Sequence, residues 1–169
     1  MCIRDSTYRV IEAISEGVVL NTMDHAAGDY LAAVRPRLST LAKAQAIAYA
    51  FTQADKPYDF DFDFATDHAL VCTELVWRAY RPAEGKDGLT IPLIDVAGRR
   101  TLPANTLAEF YAAHADDPDR QLDFVYFLDA VEEEQRAVVS DEAAFRATPS
   151  RTKSVSYTHL TLPTKCWGW

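Results

Sequence analysis

The chain has 169 residues, half of them apolar and a quarter charged, which is enough for one globular domain with its own core. A net charge of -8 argues against nucleic acid or an anionic membrane surface as the main partner, because both are bound through basic faces. No apolar run approaches the ~20 residues of a transmembrane helix. The cysteines at positions 2, 72 and 166 have neither metal-ligand nor disulfide-framework spacing.

The two ends continue nothing in the adjoining sequence. Met1–Ser6 reads MCIRDS, and Ser154–Trp169 reads SVSYTHLTLPTKCWGW. Both resemble translated sequencing-adapter read-through of the sort found at the ends of reading frames from assembled metagenomic fragments. They are set aside as a tag would be, which removes Cys2, Cys166, His159, Trp167 and Trp169 from the reasoning and leaves residues 7–153 as the domain. The expectation is a native protein that extends past both ends, so its compartment, cell envelope or cytoplasm, stays open.

Tyr8–Ala13 and Gly17–Leu20 predict two short strands around a Ser-Glu-Gly turn, a hairpin. Glu12 stands in the first strand. Val10 and Glu12 share one face, Ile11 and Ala13 the other, and the pattern leaves open whether the carboxylate meets solvent or a site. Thr22–Asp29 reads as a turn or helical loop, and Leu31–Val34 as a third strand stopped by Pro36. Ser39 is the N-cap of the clearest helix, Ser39–Ala54, with Leu41, Ala44, Ile47, Ala48 and Phe51 as its core stripe.

The alternation in Asp59–Phe64 predicts an extended segment with Phe60, Phe62 and Phe64 on one side and Asp59, Asp61 and Asp63 on the other. A helix over Cys72–Tyr80 follows, with Cys72, Leu75, Val76 and Ala79 as its core stripe and the thiol in the first turn, near the positive end of the helix dipole. Arg81–Gly88 is a polar loop. Thr90–Val96 predicts a strand, Gly98-Arg99-Arg100 a turn, and Pro103–Ala115 a helix with Leu107, Phe110, Tyr111 and His114 in register. Leu122–Ala130 is the most hydrophobic strand, and Asp141–Ala147 a last helix. Internal repeats and low-complexity segments are absent from the sequence.

Cys72 is the first candidate for chemistry. A cysteine nucleophile works as the thiolate, a form favoured by a helix N-terminus or a neighbouring imidazolium, although free cysteine is also a common core residue. Asp59–Asp67 places carboxylates at the first, third, fifth and ninth positions of a calcium-loop count. Phe64 stands where the sixth-position glycine belongs and Leu70 where the twelfth-position acid belongs, which favours an edge strand with one acidic face. His68, one helical turn before Cys72, His25 after the hairpin and His114 on a helix face have no zinc-site spacing with Cys72. The sequence holds no Gly-rich phosphate loop and no G-x-S-x-G elbow, so neither a metal nor a cofactor enters the expectation.

Taken together, VIEAISEGVVL, AVRPRLS with its helix, DKPYDFDFDF and LVCTELVWRAY resemble the circularly permuted papain-fold cysteine hydrolases, the bacterial YiiX/YebB-like branch of the NlpC-type superfamily. The resemblance runs from about Tyr8 to Tyr80, and its most specific part is K-P-Y-D followed by C-[ST]-E-L-V. It implies an α+β fold: an incomplete, circularly permuted papain-like (NlpC-type) domain, with an antiparallel sheet packed against the Cys-bearing helix. In that family the cysteine opens a helix and acts as nucleophile, which falls here on Cys72. Glu12 of I-E-A matches the polar residue that orients the catalytic histidine, and Tyr58 matches the K-P-Y-D tyrosine, expected beside the site. The family's histidine lies on a strand before I-E-A, where MCIRDS stands, and no residue of this chain matches it. The expectation is a family member cut just after that strand, inactive or nearly so as a fragment.

The implied reaction is attack of the Cys72 thiolate on an acyl carbon, with a small-molecule, peptide or lipid acyl substrate. Two other classes stand beside it. A non-catalytic module of the same fold would bind a lipid or peptide in its cleft, which suits the Phe60, Phe62 and Phe64 row. An acidic metal-binding module rests on the Asp run alone. Membrane association and oligomeric state stay open.

Overall fold

The structure is a computed structural model that describes residues 9–23, 30–131 and 136–151. The adapter-like segments, Tyr8, His25 and most of the Thr22–Asp29 loop lie outside the described residues. Strands β1 (Arg9–Ile14) and β2 (Gly17–Thr22) form the expected antiparallel ribbon, with Ala13 opposite Val18 and Glu12 opposite Val19. Strand β3 (Leu31–Pro36) leads into helix α1 (Thr40–Thr52) and, after a long loop, helix α2 (Cys72–Tyr80). A small antiparallel pair follows, β4 (Ile94–Val96) and β5 (Arg99–Thr101), then helix α3 (Ala104–His114), strands β6 (Leu122–Val131) and β7 (Arg136–Ser140), and helix α4 (Glu142–Ala147). Strand β6 is the centre of an antiparallel sheet ordered β3–β6–β7. No helix among the described residues is long and apolar enough to cross a membrane.

Two buried clusters flank α2. Ala13 and Val18 of the ribbon meet Ala46 and Ala50 of α1 and Leu75 and Ala79 of α2. On its other side Trp77 packs against a cluster that includes Phe64, Ile91, Leu102, Tyr111 and Phe127, joining α2 to the larger sheet and α3. The ribbon is also held through its main chain. Val18 donates to the Lys56 carbonyl at 2.8 Å, and Asp55 donates to the Val18 carbonyl at 2.9 Å. The approach is so close that a Cβ on Gly17 would lie 2.5 Å from the Lys56 oxygen, and the φ of +109° there already favours glycine.

Helix α1 begins as expected, with Ser39 Oγ accepting the Ala42 N–H at 3.1 Å. It buries the opposite face from the one expected. Leu41, Ile47 and Phe51 are 69%, 51% and 52% exposed, and Ala42, Ala46 and Ala50 are buried. Both sets recur at helical spacing, and the closely approaching ribbon and α2 favour the set with the smallest side chains. Ile47→Lys should therefore change stability by no more than about 0.5 kcal/mol in urea unfolding, while Ala46→Leu should cost about 1–3 kcal/mol by overpacking. The reverse order would restore the bulky stripe as the core face.

Two strand expectations also change. Only Ile94–Val96 of the Thr90–Val96 stretch pairs as a strand. Leu89 and Ile91 instead enter the core from irregular chain, and the Gln121 side-chain amide takes the place of a strand partner by bonding both the N–H and the carbonyl of Thr90. Strand β7 was not among the predicted elements, and its Ala137-Val138-Val139 run is the only apolar signal it carries.

Candidate active site

Cys72 is the first residue of α2, and it is exposed. The N-cap residue is Val71, which has no side-chain acceptor, so the first-turn N–H groups beside the thiol receive no side-chain cap from it. The expected core stripe is wrong in two of its four members. The helix buries Glu74, Leu75, Arg78 and Ala79, leaving Cys72 exposed and Val76 41% exposed.

The cause is a buried ion pair. Glu74, fully buried, accepts from Arg78 Nε at 2.7 Å and, more loosely, from the Val71 N–H at 3.4 Å. Arg78 Nη2 donates to the carbonyls of Phe64 at 3.0 Å and Thr66 at 2.6 Å, and its Nη1 reaches the Asp67 carboxylate. A charge can be buried when its partners are this complete. The helix therefore turns its Glu-Arg edge inward and the thiol outward. Burial pushes the Glu74 carboxyl above its ordinary value, while the Arg78 hydrogen bond and charge pull it back. Glu and Arg four apart were visible in the sequence, but the same spacing is usual on solvent faces.

Tyr58 lies against the approach to α2. It pairs with Leu70 in an isolated parallel bridge, with the Asp59 N–H on the Leu70 carbonyl at 3.2 Å and the Leu70 N–H on the Pro57 carbonyl at 3.0 Å. Burial raises the Tyr58 phenol above its ordinary value, and the charges of Cys72 and Asp59 raise it further. Tyr58 and Cys72 are thus within electrostatic reach of each other.

A group raised in this way stabilises the fold below the ordinary tyrosine value and loses that contribution as pH rises through the raised one. Cys72→Ser removes one of the raising charges. The Tyr58 step in an ultraviolet titration, identified by difference from Tyr58→Phe, should therefore move to lower pH. An unmoved step would disconnect the two residues.

The Asp-Phe alternation is a curled loop, not an extended segment. Asp59, 6% exposed, accepts the Asp61 N–H at 2.8 Å on one carboxylate oxygen and the Asp63 N–H at 2.7 Å on the other. That double acceptance bends the chain, turns Phe64 into the core and leaves Phe60 and Phe62 outside. Among the described residues, no group of three or more His, Cys, Asp or Glu side chains could hold a metal ion.

Glu12 accepts from Asn21 Nδ2 at 2.7 Å. Its neighbours Ile11 and Ala13 pack toward α1 and α2, so strand alternation gives Glu12 the other face of the ribbon. The Tyr58–Leu70 bridge sets Tyr58 against the segment that opens α2, and Glu12 lies on the ribbon, bonded to Asn21. His68 is exposed in the loop before α2, and His114 Nδ1 lies 2.8 Å from the Phe110 carbonyl. Among the described residues, no imidazole is hydrogen-bonded to the Cys72 thiol.

Antiparallel strands packed around a helix that opens at an exposed cysteine define an α+β papain-like domain. A family model described as the permuted papain-like amidase enzymes, YaeF/YiiX, C92 family, matches residues 2–142, and the chain belongs to that family. It is a hydrolase of the permuted papain type. No curated protein and no solved structure matches it.

Proposed function

We propose that this protein is a thiol-dependent acyl hydrolase or transferase, within the NlpC-type superfamily, and that Cys72 is its nucleophile. The observation that carries the reading is the exposed Cys72 at the first residue of α2, directly after the apolar N-cap Val71 and two residues after Leu70, to which Tyr58 is bridged. A base takes the thiol proton, and Sγ attacks the acyl carbon of an amide, peptide, small-molecule ester or lipid. The tetrahedral oxyanion meets the first-turn N–H groups of α2. Its collapse breaks the bond to the leaving amine or alcohol, which takes the proton, and water then cleaves the thioester to regenerate the thiol. Tyr58 contributes a neutral O–H at the edge of the site. Glu12 has the role of orienting the base, and its hydrogen bond to Asn21 holds the carboxylate in one position.

A general base is worth about 10²–10⁴ in rate. With no imidazole hydrogen-bonded to the thiol among the described residues, this chain should acylate and then turn over slowly. Mixing it with an activated nitrophenyl ester should release a burst of nitrophenolate equal to the protein present, followed by a slow phase that free imidazole accelerates. Absence of a burst, or an acyl group carried on another residue, rejects the reading. The exposed rings of Phe60 and Phe62 favour a second reading, a module of the same fold that binds an apolar ligand without acylation. That module would bind without a burst.

A further inference from the structure

The loop from Tyr58 to Phe64 holds two large apolar rings in solvent by construction. Phe60 and Phe62 are 69% and 50% exposed. Both meet Tyr58 edge-on, with ring centroids 4.9 and 6.2 Å from it. The backbone between them is fixed on both sides of Phe62 by the buried Asp59 carboxylate, which accepts the N–H groups of Asp61 and Asp63. Arg99 donates to the Asp61 carbonyl from the β5 side. Phe62 itself adopts φ +54°, a left-handed conformation that a bulky L-residue rarely takes. Such strain persists where the surroundings over-determine it, and it clusters at ligand contacts. Burying both rings would have removed apolar surface from water; the loop instead spends a buried carboxylate and a strained residue on keeping them out.

Tyr58 links these rings to the nucleophile, because its bridge partner Leu70 stands two residues before Cys72. After attack, the acyl part of the substrate stays tethered to the sulfur through both half-reactions, so an apolar platform joined to the start of α2 through Tyr58 is offered to that part of the substrate.

We propose that Phe60 and Phe62, seated on Tyr58, form an apolar subsite that selects substrates whose acyl group carries an uncharged apolar chain. This rests on Cys72 as the nucleophile. The test compares acylation of the full chain by nitrophenyl acetate, octanoate and N-acetylphenylalaninate, each rate divided by that of free cysteine with the same ester. In each case the Sγ–C bond forms, the ester C–O bond breaks, nitrophenolate leaves and the thiol proton passes to buffer. Nitrophenolate release and the mass added at Cys72 are both read.

At least one apolar ester should be favoured over acetate by about tenfold, falling to about twofold or less in Phe60→Ser/Phe62→Ser. Preference for octanoate identifies a fatty chain as the occupant, and preference for the phenylalanine ester an aminoacyl side chain. Equal normalised rates in the wild type, or a preference that survives the double substitution, overturn the subsite and leave the nucleophile standing. No acyl group at Cys72 from any ester overturns the reading beneath it. A second measurement avoids the variant: decanoate should slow wild-type acylation by the favoured apolar ester and acetate ion should not, and equal effects of the two reject the subsite.

Discussion

In the Cys72→Ser protein the nitrophenolate burst disappears, and acylation by an activated ester falls on the order of 10³-fold or more. The expectation follows from position as much as from element. The side chain is exposed at the start of α2, so exchanging sulfur for oxygen disturbs no core contact, and the melting temperature should stay where it was. What changes is the reacting atom: a serine hydroxyl needs a base to become nucleophilic, whereas a thiol is partly ionised near neutrality. Free imidazole should therefore accelerate the slow phase of the wild type and leave the serine form flat. A serine form that keeps its burst would move the nucleophile elsewhere in the chain.

Arg78→Met should cost about 3–5 kcal/mol of stability near neutral pH, the largest loss expected of a single substitution here. Glu74 is fully buried, and the arginine is its ionic partner. Without Arg78, burial and the Asp59 charge are opposed only by the long Val71 hydrogen bond, and the folded-state value of the carboxyl rises further above that of the unfolded chain. The folded state then binds a proton that the unfolded state does not, in the window between the two values. Stability of the variant should consequently increase as pH falls through that window and decline as pH rises through it, so denaturant midpoints at about pH 5 and about pH 8 differ more in the variant than in the wild type. Adding Glu74→Leu should restore most of the loss, because the unpaired charge goes with it. The part not restored measures the clamp on Phe64, Thr66 and Asp67, which lies in the loop leading to Cys72. Full recovery would mean that the clamp contributes nothing.

Much of the local structure was legible because local chemistry decides it. Ser39 caps α1, Gly17 opens β2 at the hairpin turn, and α2 spans the predicted Cys72–Tyr80. The fold class was legible through the family pattern, which concentrates in K-P-Y-D and C-T-E-L-V. Which face of α1 and of α2 turns inward was not legible, whereas the Leu107, Phe110 and Tyr111 face of α3 does pack into the core. Periodicity finds a stripe but not its partner, and α1 offered two stripes, of which a close neighbour selects the alanines. In α2 the inward edge contains Glu74 and Arg78, which any hydropathy reading assigns to solvent. The same limit hid the curl at Asp59: alternation suggests an extended chain, and only the two N–H groups on that carboxylate make it a loop. The resemblance puts Tyr58 beside the site, and in the structure Tyr58 is bridged by backbone hydrogen bonds to Leu70, two residues before Cys72.

The tie between the ribbon and the rest has a dynamic consequence. Among the described residues, β1 and β2 pair only with each other, and their main-chain attachment to the body consists of the two bonds between Val18 and the Asp55-Lys56 turn. Those bonds do not act alone, because Ala13 and Val18 are buried against Leu75 and Ala79 of the same helix that opens at Cys72. The ribbon therefore opens only by exposing part of the core that α2 shares, so Glu12 and Cys72 keep or lose their places together.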